Sequence, residues 1–432
     1  MDITELYQCF LQCDGVSTDT RNIRPNSLFF ALKGDNFDAN EFAQEALNKG
    51  AAYVVMDNKK LITDATKMLH VPNVLGTLQQ LAKYHRQQLG LPVLALTGSN
   101  GKTTTKELIT AVLSQKYNVK ATIGNLNNHI GVPLTLLSFD EETDIGIVEM
   151  GANHKQEIAQ LCEITDPDFG YITNFGKAHL EGFGGFEGVI KAKSEMYDYL
   201  EDHYKTAFVN IDDPRQDAKT ITFNRYTFGT EETADVTIQG YNAQPNATVI
   251  FENITFNSNL TGIYNTTNIA AAISIGKFFN VPTEDIKEAI SNYNPTNNRS
   301  QWITKNSNSI LLDAYNANPS SMQAVLENFV LLDDKREKVY VLGDMRELGK
   351  ESNKEHKAIV GRFSEDSTNT IYFIGTEFYK TSNTVKNQNI KFFETFDKFK
   401  EFINENKISF QEKLFLIKGS RGIALERVLD LI

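Results

Sequence analysis

The residues Thr97-Gly98-Ser99-Asn100-Gly101-Lys102-Thr103-Thr104 have the types and spacing of a phosphate cradle. Gly98 and Gly101 let the backbone curl so that successive N–H groups point inward, and a helix opening at Lys102 would turn its positive dipole end toward an anion. The Lys102 ammonium can reach the outer phosphates of a nucleoside triphosphate, and a hydroxyl at Thr103 or Thr104 is the kind of oxygen that ligates Mg²⁺. One position departs from the general pattern G-x-x-x-x-G-K-[ST]: Leu96 stands five residues before Gly101, where glycine is usual. The bland alternative is an ordinary glycine turn between a strand and a helix. The loop implies ATP or GTP without saying what the phosphate is used for.

Other chemistry-bearing residues follow apolar runs. Glu149 closes Ile145–Glu149 and precedes Gly151 and Ala152; a hard cation takes one or two such carboxylates together with phosphates and waters, although a loop glutamate reads the same way. His179 lies in a glycine-rich run after Phe169–Asn174, and a lone histidine is more often structural than a ligand. Lys191 and Lys193 fall in an expected helix, where lysines ordinarily face solvent. Three further polar runs, Asp313–Pro319, Gly343-Asp344-Met345 and Lys418-Gly419-Ser420-Arg421, each follow an apolar strand candidate. If those strands are parallel, all three runs share one sheet edge. Near the N-terminus, the loop with Ser17, Thr18, Asp19 and Arg21 could hold a diphosphate, or could simply be polar.

The elements that must position these residues alternate strand and helix, which predicts an α/β chain with three domains and parallel sheets. Residues 1–88 form a small N-terminal α/β unit, 89–298 a central phosphate-loop domain and 299–432 a C-terminal Rossmann-like domain. Strands are expected at Ser27–Leu32, Ala52–Met56, Leu91–Thr97, Ile145–Glu149, Phe169–Asn174 and Ala207–Asn210. Asp235–Gln239 and Ala247–Phe256 read as an antiparallel hairpin or edge. In the last domain three strands are expected, at Ile310–Leu312, Val339–Leu342 and Leu414–Ile417.

With 43 basic and 55 acidic residues among 432, the formal charge is −12, so nucleic acid and anionic membrane are poor partners and an anionic ligand needs a local pocket. The three cysteines, Cys9, Cys13 and Cys162, have no zinc spacing and suit a reducing cytoplasm. The acidic start and the lack of a long apolar run predict neither a signal peptide nor membrane insertion.

At this point the chain resembles the ATP-dependent Mur ligases of peptidoglycan synthesis. Thr97–Thr104 is similar to that family's own shortened nucleotide loop. Asn125–Pro133, Glu149–Asn153 and Asp313-Ala314-Tyr315-Asn316-Ala317-Asn318-Pro319 resemble the branch that adds D-alanyl-D-alanine to UDP-MurNAc-tripeptide. The resemblance implies a carboxylate–amine ligase working through an acyl phosphate, with ATP and Mg²⁺. It implies that Ser17, Thr18, Asp19 and Arg21 lie near the uridine diphosphate and that Asn127 and Asn128 orient the peptide. ATP would be met by Gly98, Ser99, Asn100, Gly101, Lys102, Thr103, Thr104, Asn268, Arg299 and Asp313, and the metal by Thr103, Glu149, His179 and Lys193. Lys193 matches a lysine that CO₂ can carbamylate; Lys102, Lys193 and His179 would be the catalytic set. Tyr315, Asn316, Asn318, Lys418 and Arg421 would line the substrate side of the same cleft, in a monomer. The sequence departs from the family at Tyr264, where histidine is frequent, at Asn298, where glycine is usual, and at Ala39-Asn40, where Gly-His is usual. Related alternatives are the ligase adding the third residue and folylpolyglutamate synthetase; a nucleotide-dependent binding protein is the alternative from outside enzymology.

Overall fold

The computed structural model describes residues 1–295, 298–366 and 368–432 as three α/β units. The central unit is a seven-stranded parallel sheet. Its order is Val236–Thr237, Arg225–Gly229, Thr206–Asn210, Phe169–Ile172, Val93–Thr97, Ile145–Glu149, Val119–Ala121. Both faces are covered, so the central strands Val93–Thr97 and Ile145–Glu149 are buried along their whole length. Val93 and Ala95 pack with Ile158, Leu161 and Met196 on one side. Leu94 and Leu96 pack with Leu108, Ile109, Ile269 and Ile273 on the other. The antiparallel hairpin or edge expected at 235–239 and 247–256 is found in two parts: the second run is an antiparallel hairpin, and the first is a sheet edge but a parallel one. Val236–Thr237 joins the parallel sheet as its edge strand. The antiparallel part is a separate three-stranded ribbon of Gly240–Asn242, Thr248–Phe251 and Ile254–Asn257. A two-residue strand is too short to show a period.

The N-terminal unit has a four-stranded parallel sheet, Val16–Ser17, Leu28–Phe30, Tyr53–Met56 and Met68–His70. The helix Val74–Leu89 connects it to the central unit, and Arg86 of that helix, buried, reaches Asp168 at 2.6 Å.

The C-terminal sheet has six strands where three were expected. Gln301–Lys305 is an antiparallel edge on Asn308–Asp313, followed across the sheet by Leu414–Lys418, Lys338–Gly343, Thr370–Ile374 and Ile390–Phe393, all parallel. Leu414–Lys418, latest of these in the chain, sits between Asn308–Asp313 and Lys338–Gly343. In this register Asp313 lies beside Lys418, and Lys418 beside Leu342. The polar runs after these strands therefore do emerge at one edge. Among the described residues no helix is long and apolar enough to cross a membrane.

Candidate active site

The phosphate loop is shaped by contacts from well beyond its own sequence. Gly98 has φ of +142° and an added Cβ would lie 2.0 Å from Thr173 Oγ1, so only glycine fits. Gly101, at φ +81°, caps the helix Lys102–Leu113 without a side-chain cap, leaving that helix's first N–H groups free for a ligand. The Asn100 carbonyl accepts from Thr173 Oγ1 at 2.6 Å and Asn174 Nδ2 at 2.9 Å, while Asn318 Nδ2 of the C-terminal unit donates to Asn100 Oδ1 at 2.7 Å.

Around this loop lies a cavity of about 820 Å³ walled by the central and C-terminal units. Lys102 Nζ donates to Gly98 O at 2.6 Å. Burial pushes its pKa down; Glu149 opposes that shift and Arg299 adds to it. Glu149, 2% exposed, accepts from Thr103 Oγ1 at 3.0 Å on one oxygen and from Asn127 Nδ2 at 2.9 Å on the other. Its backbone N–H is held by Thr122 Oγ1 at 2.9 Å. No ion pair satisfies this carboxylate among the described residues.

Lys193 shows how helical phase divides two similar lysines. In the helix Phe186–Asp202, Lys191 is exposed, whereas Lys193 turns inward with Val189, Met196 and Leu200 and is 1% exposed. Its Nζ donates to Ala152 O at 3.4 Å and sits 5.3 Å from the Phe183 ring centre. Burial, and then the charge of Lys102, lower its pKa well below the ordinary lysine value, against weaker opposing effects of Glu157 and Glu195. His179 lines the cavity, and its Nδ1 pairs with the Glu347 carboxylate of the C-terminal unit.

The opposite wall is built on Asp313. This carboxylate accepts from Ser300 N at 3.0 Å and from the buried Lys418 Nζ at 2.5 Å. Lys418 also reaches Asn316 O at 3.2 Å. The Arg299 guanidinium stacks 3.7 Å from the Tyr315 ring centre, and its buried Nε has no partner among the described residues. Asn318 caps the helix Pro319–Leu331 through Ser321 N while it reaches Asn100. Asn268, on the helix Tyr264–Phe278, accepts from Thr105 Oγ1 at 3.0 Å and donates to Asn265 at 2.8 Å.

Of the residues singled out in the sequence, Ser99 through Thr104, Asn127, Asn128, Glu149, His179, Asn268, Arg299, Asp313, Tyr315, Asn316, Asn318 and Lys418 line this one cavity. Gly98 and Lys193 stand directly behind its wall. Ser17, Thr18, Asp19 and Arg21 are outside it, with Arg21 bonded to Asp19 at 2.6 Å. Arg421 is also outside, exposed and paired with Glu426 at 2.7 Å, in the short helical turn Arg421–Ile423 that follows Ser420. Asp344, expected at the shared edge, turns away to accept from Glu377 N and Phe378 N.

Three family models match in sequence along the chain. They are the Mur ligase family catalytic domain over residues 12–86, the Mur ligase middle domain over 96–276, and the Mur ligase glutamate ligase domain over 298–421. The UDP-N-acetylmuramoyl-tripeptide–D-alanyl-D-alanine ligase of Bacillus subtilis is 35% identical across 97% of this chain and 93% of its own length. The chain belongs to the Mur ligase family. Among solved Mur ligases, a MurF from Acinetobacter baumannii is similar with a TM-score of 0.85 at 30% identity, covering 99% of this chain and 98% of that one. A MurF ligase from Thermotoga maritima in complex with ADP gives 0.83 at 27%, over 98% and 97%.

In this Mur ligase the tyrosine that departs from the family pattern, Tyr264, lines the cavity with its hydroxyl 2.9 Å from Ser300 Oγ. Burial, then the charge of Asp313, raises its pKa, so it stays a neutral phenol. Sequence reasoning passed over Asn265, Thr105 and Glu347. Asn265 and Thr105 gave no signal, being polar residues inside helices. Glu347 had one: it continues the polar run that begins at Asp344 after a strand end.

Proposed function

We propose that this chain joins D-alanyl-D-alanine to the free carboxylate of UDP-MurNAc-tripeptide, at the expense of ATP, through an acyl phosphate. The observation that carries the reading is the joint wall: one cavity holds the phosphate loop, a buried carboxylate–threonine pair and, from the C-terminal unit, Arg299, Asp313, Asn318 and Lys418. That is what transfer between three substrates requires, and likeness to enzymes of that name spans nearly the whole chain. The tripeptide carboxylate attacks the γ-phosphorus and ADP leaves; the amine of the dipeptide then attacks the acyl carbon, and phosphate departs with the amide formed. Lys102, the free N–H groups at the start of its helix and Arg299 with its unpartnered Nε stabilise the transferring phosphoryl group. Asn127 and Asn128 orient the peptide. The C-terminal unit keeps water from the acyl phosphate. Ser17, Thr18, Asp19 and Arg21 hold the uridine diphosphate end, while Tyr315, Asn316 and Lys418, which line the cavity, serve the incoming dipeptide.

The donors present fit Mg²⁺: a buried carboxylate without a cationic partner next to a threonine hydroxyl, both oxygens of the kind a hard cation takes. Glu149 and Thr103 would hold it, with His179 and a carbamylated Lys193 on the peptide side; when bound, it neutralises phosphate charge. Carbamylation needs a neutral amine, and burial shifts Lys193 toward that form. CO₂ adds to Nζ and one proton leaves, turning a cation into a carboxylate. We place the enzyme in the cytoplasm, as a monomer.

The test is phosphate release from ATP with UDP-MurNAc-tripeptide, with and without D-alanyl-D-alanine. Release that needs both substrates is expected. Release driven by a different amino acid would reassign the acceptor, and release needing neither would overturn the coupled mechanism.

A further inference from the structure

The segment after the strand Phe169–Ile172 is gripped by the C-terminal unit at several points. The Lys177 N–H donates to Ser320 Oγ at 2.8 Å, and Lys177 Nζ pairs with Glu355 at 2.8 Å. The Glu181 N–H donates to Glu347 O at 3.2 Å, and the Glu347 carboxylate meets His179 Nδ1. Gly349 lies flat on Glu181: an added Cβ would come within 3.2 Å of that side chain. His179 and Glu347 both adopt left-handed backbone, φ +51° and +62°, a conformation that non-glycine residues keep only where surroundings hold it. The Glu347 side chain is 54% exposed and that of His179 23% exposed. A pair so open to water does little for stability.

We propose that Glu347 is a positioning residue: by accepting from Nδ1–H of His179, it turns the bare Nε2 into the cavity, and it does so only when the C-terminal unit is docked. A ring nitrogen bonded to a carboxylate is fixed as the donor, which leaves the opposite nitrogen as the lone-pair atom. The imidazole on the central unit thus becomes serviceable through a residue of another unit. Docking and readiness are one event. The inference rests on the ligase reading, because His179 matters to it as a neighbour of the reacting groups. The rival account makes Glu347 one more latch contact. Glu355 supplies the control, since it grips the same segment from the same unit without touching His179.

The experiment compares Glu347→Ala, Glu347→Gln and Glu355→Ala with wild type in three readouts. They are the ¹⁵N spectrum of the His179 ring, Mn²⁺ affinity in the presence of a non-hydrolysable ATP analogue, and kcat against KM. Glu347→Ala is expected to lose the Nδ1–H tautomer, to bind Mn²⁺ about 10-fold more weakly and to lower kcat by about 10- to 100-fold, the range for removing a partner of this kind. Glu347→Gln keeps a carbonyl acceptor and should retain the tautomer and most of kcat. Glu355→Ala should raise KM with the His179 spectrum unchanged. Identical profiles for Glu347→Ala and Glu355→Ala, with the tautomer intact in both, would reduce Glu347 to a latch. Wild-type enzyme without acceptor-dependent turnover would instead overturn the proposed reaction, and the ring spectrum would then decide the role of Glu347 alone.

Discussion

Glu149→Gln separates binding chemistry from architecture because the two respond with opposite signs. The carboxylate is buried and accepts two hydrogen bonds, from Thr103 and Asn127, with no ion pair to compensate its charge. Glutamine has the same shape. The Thr103 hydroxyl can rotate to accept, and the Asn127 amide still finds a carbonyl oxygen, so the number of bonds is conserved. What is lost is two charge-assisted bonds, each stronger than its neutral equivalent by about 1 kcal/mol. What is gained is release from desolvating a carboxylate that has no ion pair, several kcal/mol per ion, offset in part by the lost attraction to the buried Lys102. Without nucleotide, therefore, the variant should melt at or slightly above the wild-type temperature. Activity moves the other way: loss of a group acting on transferring phosphoryl charge costs about 3–4 kcal/mol, or 10²- to 10³-fold in kcat. Stabilisation by Mg²⁺ and ATP, about 2.7 kcal/mol at a hundred times Kd, should also largely vanish. The assays are thermal melting with and without Mg²⁺-ATP, and acceptor-dependent phosphate release. Activity within 10-fold of wild type would refute the reasoning about the metal, and a large drop in nucleotide-free melting temperature would make Glu149 a structural residue. A further check is internal. Glu149 raises the Lys102 pKa against the effect of burial, so the alkaline limb of the rate profile should move to lower pH in the variant.

Lys193 makes a prediction in pH. Its folded-state pKa lies below the unfolded value, so between the two the unfolded chain binds the extra proton and stability rises with pH. Lys193→Met should raise the melting temperature at pH 6 to 7, by an amount that shrinks toward about pH 10, where the unfolded lysine also deprotonates; a constant difference would rule out the buried amine as the cause. Lys193→Ala should lose ligation that added acetate or formate partly restores, and failure of rescue counts against a carbamate. Lys418→Met leaves Asp313, whose side chain is 16% exposed, without its buried cation, a loss of about 2–3 kcal/mol, at the low end for such a pair, that adding Asp313→Asn should largely recover; equal losses in the single and double variants would show that the pair is not the determinant.

Legibility followed the reach of the physics. The phosphate loop and the end of Ile145–Glu149 depend on local spacing, and they could be read from a dozen residues. The edge convergence of Asp313 and Lys418 needed only the assumption of parallel strands. Lys193 was readable as a member of a helix but not as buried, since Lys191 beside it has the same chemistry and only helical phase against the sheet distinguishes them. Thr370–Ile374 and Ile390–Phe393 escaped because short apolar runs look alike in strands and helices. Asn100 shows the other limit: its two oxygens are held by Thr173, Asn174 and Asn318, residues 73 to 218 positions away.

The sheet order of the C-terminal unit has a consequence for synthesis. Leu414–Lys418 is the last strand of its sheet to leave the ribosome, yet it fills the gap between two strands made some seventy to a hundred residues earlier. The central unit and its phosphate loop can fold while the chain is still growing. The wall bearing Asp313 and Lys418 cannot close until this strand arrives. A chain that ends before this strand therefore carries a nucleotide loop without the strand that sets Lys418 beside Asp313.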